Sequence, residues 1–184
     1  MERSVLIGGF GGQGVMVIGQ LLSYTACETT DKYIVYFPSY GSEQRGGTAN
    51  CYVTISDKPI GGPVKQRLDD VIVLNEPSLV KFEPRVKTGG LLFMNSSLIS
   101  AAPVRDDIRV IQVPAGEIAD ELGNAKVANL VMTGAYIGYT EMLPAENVLA
   151  TARKKLGAKR PWLNELNEKA FYRGMEAGKA VRNT

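Results

Sequence analysis

The apolar run Val5-Leu6-Ile7 passes straight into Gly8-Gly9-Phe10-Gly11-Gly12-Gln13-Gly14, after which Val15, Met16, Ile18, Leu21 and Leu22 recur at helical spacing. A strand that turns through glycines into a helix commits the chain to a layered α/β opening. It also aims backbone N–H groups and the positive end of a helix dipole at one point in space. Two readings of the turn stand side by side: the glycines receive an anion, or they only permit a tight corner and close packing of helix on sheet. Gly9, Gly11 and Gly14 also satisfy G-x-G-x-x-G, whose dinucleotide form requires an acidic residue about 20 positions on, at the end of the second strand. Here the second apolar run, Tyr33 to Phe37, leads into Pro38-Ser39-Tyr40, with Asp31 before it and Glu43 well beyond its end. A plain NAD-binding domain is therefore the weaker reading.

Tyr33 to Phe37 has the β-branched and aromatic texture of a strand and is expected to end at Pro38, which cannot extend a ladder. Residues 38–47 concentrate turn formers, and Thr48 to Ser56 resumes alternation at Cys51, Val53 and Ile55. The separation is too short for a helical crossover, so these two strands are expected to be antiparallel neighbours. Val71 to Leu74 and Leu91 to Met94 are continuous apolar runs, suited to interior strands covered on both faces, and Ile108 to Val113 is a further strand closed by Pro114. Glu76 to Phe82 reads as a short helix or turn. The carboxy-terminal part is helical: a stripe at Ile118, Ala119 and Leu122, a small-residue helix over Val127 to Tyr139, a helix opened by Pro144, and a last one from Pro161 to about Gly178. The expected fold is a three-layer α/β/α domain with a mixed, mainly parallel open sheet, and residues 1–184 are expected to form a single domain.

Composition narrows the chemistry. Lys and Arg exceed Asp and Glu by 21 to 19, which gives no general electrostatic case for nucleic acid or an anionic membrane. No apolar run approaches the ~18 residues of a membrane span, and a strand and glycine turn stand where a cleavable leader would be, so a cytoplasmic location is expected. Cys27 and Cys51 are too few for a four-thiolate cluster and are expected to be buried free thiols. There is no histidine, which removes the commonest general acid–base and a frequent metal ligand. No catalytic residue and no metal site is assigned to this chain, and the central chemistry of any reaction it serves is expected in other chains.

A second cluster follows about thirty residues after the first: Tyr40-Gly41-Ser42-Glu43-Gln44-Arg45-Gly46-Gly47 sets a guanidinium between a carboxylate and a glycine pair. As a plain surface turn its Glu–Arg pair would contribute at most about 1 kcal/mol. If it leaves the same sheet edge as the glycine turn, the two form one site. Together, these motifs closely resemble the gamma subunit of the 2-oxoacid:ferredoxin oxidoreductases. Ala49 to Ser56, Val71 to Asn75, Asn129 to Gly138, and Asn167 to Phe171 with Gly174 are also similar to that family, so the likeness spans nearly the whole chain.

The resemblance implies a multisubunit enzyme that uses thiamine diphosphate with Mg, oxidatively decarboxylates a 2-oxoacid, passes electrons through [4Fe-4S] clusters to ferredoxin and releases an acyl-CoA. Alpha and beta subunits and a ferredoxin-like delta subunit or domain would hold those groups, and this chain would bind none of them alone. The gamma part is associated with assembly and with the CoA-facing side. By carry-over, Gly9, Gly11, Gly12, Gly14 and Arg45 would line an anion-receiving surface, with Ser42, Glu43, Gln44, Gly46 and Gly47 in a loop facing CoA or a partner. The expected substrate is 2-oxoglutarate. An indolepyruvate-type small subunit and a stand-alone nucleotide-binding module are the alternatives.

Overall fold

The computed structural model describes residues 1–40, 48–158 and 160–183. Six strands, β1 (Glu2–Phe10), β2 (Tyr33–Tyr40), β3 (Thr48–Ser56), β4 (Leu68–Val73), β5 (Val86–Asn95) and β6 (Arg109–Val113), form one sheet in the order β2-β3-β1-β4-β5-β6. β1, β4, β5 and β6 are parallel, and β3 runs antiparallel to both of its neighbours, β1 and β2. The sheet is thus mixed and mainly parallel, and β2 and β3 are the antiparallel pair that their short separation demands.

The helices are α1 (Val15–Thr29), α2 (Glu76–Phe82), α3 (Ala115–Glu121), α4 (Ala128–Thr140), α5 (Ala145–Ala152) and α6 (Asn164–Arg182). Strand alternation divides the apolar side chains between two cores. Val5 and Ile7, Ile72 and Phe93 face the larger one, with α1 and α3 to α6; Leu6, Val71, Val73, Leu92 and Met94 face the smaller one, with Leu79 and Phe82 of α2. Both faces of the central strands are covered, as their continuous apolar runs require.

α4 and α6 meet along glycines. A Cβ at Gly174 would press on the carbonyl of Val131, one at Gly134 on that of Phe171, and one at Gly178 on that of Ala135, so the backbones touch directly. At the edge where the parallel strands begin, the buried Asp70 carboxylate accepts from Arg3 Nε at 2.6 Å, Arg3 Nη2 at 3.0 Å and Tyr136 Oη at 2.7 Å. A buried charge is tolerable only when paired in this way. Burial, and then the neighbouring Asp70, push the Tyr136 hydroxyl well above the usual tyrosine range.

Two sequence expectations need correction. β2 continues through Pro38 to Tyr40, with Pro38 opposite Cys51, because β2 is the outermost strand and a proline can face its unpaired side. Cys27 is exposed, whereas Cys51 is buried. α1 buries Val15, Ile18, Leu22 and Ala26, and one further residue of helical rotation turns Cys27 away from the sheet.

Candidate functional site: the glycine turn and the carboxyl edge of the sheet

Each part of the site is set by the strand that delivers it. β1 ends at Phe10, and Gln13 N donates to Phe10 O at 3.2 Å to close the turn into α1. Gly12 and Gly14 have φ of 99° and 85°, a region open to glycine and costly for other residues. A Cβ at Gly14 would also lie 2.7 Å from that of Asn129. Gly9 is buried inside β1, where its missing side chain leaves room for Val15, Gln13 and Leu74. Gly11 and Gly12 are exposed, and a Cβ at either would meet nothing within 4 Å among the described residues. Of the four glycines singled out from the sequence, Gly11 and Gly12 face outward, Gly14 shapes the helix entry and Gly9 serves packing.

The start of α1 is receptive to negative charge. Its N-cap, Gly14, offers no side-chain acceptor, and its first turn holds no acidic residue. The first helical N–H to find an acceptor is that of Ile18, on Gly14 O. The backbone N–H groups of Gly11, Gly12, Gly14, Val15, Met16 and Val17 have no acceptor among the described residues. Unsatisfied N–H groups at the positive end of a 15-residue helix are the recurrent way proteins bind phosphate and carboxylate.

The turn stands at a topological switch. After β1 the chain leaves toward the larger core through α1; after its parallel neighbour β4 it leaves toward the smaller core through α2. Open α/β sheets bind ligands in the crevice that such a divergence creates beyond the carboxyl ends of the strands. A cleft of about 210 Å³ lies there, bounded by Gly12, Gln13, Leu74, Asn95, Lys126 and Asn129. The volume suits a phosphate-sized group better than a whole drug-sized molecule.

Ser42, Glu43, Gln44, Arg45, Gly46 and Gly47 lie outside the described residues. The residues that flank them are described: Tyr40 pairs with Ala49, and Thr48 pairs with Phe10. The segment that carries Arg45 therefore leaves from, and returns to, the edge that bears the glycine turn. β3 also intervenes between β1 and β2, so the end of β2 lies two strand spacings, about 10 Å, from β1. A dinucleotide fold puts its ribose-binding acid on a strand directly beside the first; this order weighs against that use of the turn.

Sequence reasoning did not assign Lys126, Asn75, Asn95 or Asn129 to the site. Lys126 is exposed on the short 3₁₀ turn Ala125–Val127, whose Asn124 side chain accepts from Lys126 N at 3.0 Å. Its approach to Gly12 depends on how α4 packs, which no local pattern encodes. Asn75 did carry a signal: it follows an apolar strand and precedes Glu76-Pro77, a helix start, and its Oδ1 caps α2 by accepting from Ser78 N at 2.9 Å.

Comparison with known proteins agrees with this architecture. The chain is 41% identical over 133 residues to ketoisovalerate oxidoreductase subunit VorA of Methanothermobacter thermautotrophicus, a match that covers 72% of this chain and 27% of that one. The chain thus spans about a quarter of the length of that relative. It is 31% identical over 183 residues to 2-oxoglutarate synthase subunit KorC of Methanocaldococcus jannaschii, covering 98% of this chain and 96% of that one. The crystal structure of the keto/oxoacid ferredoxin oxidoreductase gamma subunit from Geobacter sulfurreducens superposes with a TM-score of 0.82 at 28% identity over 98% of each chain. Residues 4–177 match the pyruvate ferredoxin/flavodoxin oxidoreductase domain, and the chain belongs to that family.

Proposed function

We propose that this chain is the gamma component, a single domain, of a multisubunit 2-oxoacid:ferredoxin oxidoreductase and that its glycine edge receives a phosphate of coenzyme A. The observation that carries the reading is the meeting, at one switch point, of an uncapped helix start, two outward glycines, Lys126 and both ends of the segment that holds Arg45. CoA is a polyanion, and a cleft of about 210 Å³ holds one of its phosphates while the remainder lies against a partner chain. Lys126 would act as a point charge beside the N–H groups, and Arg45 as a second cation.

Thiamine diphosphate with Mg would supply the decarboxylation, and [4Fe-4S] clusters the electron transfer. In this reading they belong to the alpha, beta and delta partners; for the clusters, a chain with two cysteines lacks the ligands of a four-thiolate site. No group of three or more His, Cys, Asp or Glu stands together among the described residues. None of its described helices is long and apolar enough to cross a membrane; we place the complex in the cytoplasm, with 2-oxoglutarate as substrate and ferredoxin as acceptor.

The test is reconstitution. The purified chain alone oxidises no 2-oxoacid, and added to alpha, beta and delta partners it restores CoA-dependent viologen reduction. Lys126→Ala raises the KM for CoA about threefold to tenfold, the range for losing one charge-assisted contact near solvent. Full CoA-dependent activity of the partners without this chain defeats the proposal.

A further inference from the structure

Gln13 stands inside the glycine motif, yet its side chain turns back into the protein. Its Oε1 accepts from Phe10 N at 2.7 Å and from Asn75 Nδ2 at 2.9 Å, while its Nε2 donates to Leu74 O at 3.3 Å. The two accepted bonds and the donated one fix which end of the amide faces which partner. One side chain thus ties the last residue of β1 to the residues that follow β4, across the divergence where the cleft opens. Asn75 completes the tie, since its Oδ1 caps α2 while its Nδ2 reaches Gln13.

We propose that Gln13 and Asn75 are a positioning pair that holds the glycine turn in its anion-receiving shape, an inference that rests on the CoA reading of the same edge. A Cβ at Gly11 or Gly12 would meet nothing within 4 Å among the described residues, and glycine is the most freely rotating residue. Without the tie, the turn's N–H groups would sample many directions, and binding would have to meet the cost of ordering them. Hydrogen bonding at both ends of the turn removes that cost in advance. Gln13 acts through the backbone and is not itself a catalytic residue.

The experiment uses the assembled complex, with variants Gln13→Met, Asn75→Ser, their double, and Gly12→Ala. Methionine matches glutamine in length without its hydrogen bonds; serine still caps α2 but is too short to reach Gln13. Backbone hydrogen exchange at Phe10 and the steady-state KM and kcat for CoA are measured in each. The positioning role predicts faster exchange at Phe10 in Gln13→Met, an increase of about tenfold in the KM for CoA, and a kcat at saturating CoA within twofold of the parent. It also predicts that the double variant is no worse than Gln13→Met, because both changes break one tie. If Gly12→Ala raises the KM while Gln13→Met changes neither exchange nor KM, the positioning role is overturned and the CoA reading stands. If Phe10 exchange quickens but no variant moves the KM, the CoA reading fails and the positioning role falls with it.

Discussion

Replacing Gly174 with alanine sets two known magnitudes against each other. Alanine is favoured over glycine in a helix interior by about 1 kcal/mol, so by propensity alone the variant should be stabilised. The added Cβ, however, would overlap the Val131 carbonyl oxygen and lie 2.7 Å from its carbon and 2.9 Å from its Cα. Carbon atoms pack best at about 3.5–4.0 Å, so α4 and α6 must part by about 1 Å. No rotamer change relieves the overlap, because the atoms struck are backbone. The strain also spreads along the seam, since Gly134 marks an equally close approach and Gly138 and Gly178 only slightly looser ones. Overpacking of this kind costs about 3 kcal/mol, the upper part of its usual range. The net effect is a loss of about 2 kcal/mol, or a fall of about 4–8 °C in Tm for a domain of this size. Thermal and urea unfolding followed by circular dichroism measure it. Gly62→Ala, at a position with open space and no positive φ, is the control and should stay within about 0.5 kcal/mol. A Gly174→Ala variant as stable as the parent, or more so, refutes the close approach.

Three further outcomes follow from burial and charge. A thiol reagent at pH 8 should label Cys27 in the folded chain and reach Cys51 only on unfolding, since burial pushes the Cys51 thiol up to about 12 despite a hydrogen bond to the backbone. Rapid labelling of both would contradict the packing of β3 against α1. Burial would raise the Asp69 carboxyl, but bonds from Lys87 and Ser4 outweigh it and hold the group below its ordinary value; Asp107, bonded by Arg105 and Thr88, is held down to about 2. A depressed carboxylate stabilises fully above its unfolded value and loses that contribution as pH falls through its folded value. The urea midpoint should therefore decline between about pH 4 and pH 2, and less steeply in Asp69→Asn; equal slopes would remove Asp69 from the account.

The chain's own pattern made the layers legible because strand and helix periods are local properties. Val71 to Leu74 and Leu91 to Met94 could be read as interior strands from their unbroken apolar character, and the structure buries them on both faces. The glycine turn was legible as a corner, since Gly12 and Gly14 need positive φ. What a period cannot encode is which residues meet. The small residues of α4 and α6 were visible, but their mutual contact comes from the tertiary crossing of two segments some forty residues apart. Lys126 and Asn75 reach the glycine turn only because β4 and α4 end up beside it. The extension of β2 through Pro38 depended on its being the edge strand, a fact of sheet order and not of local sequence.

Hydrogen–deuterium exchange across residues 11–17 in the assembled complex, compared with and without CoA, probes the proposed anion site at the N–H groups themselves. Binding of a CoA phosphate at the start of α1 predicts slower exchange at Gly11, Gly12, Gly14 and Val15 on addition of CoA, with the protection reduced in Lys126→Ala. Exchange in this segment that is identical in both states, at saturating CoA and full activity, would contradict it.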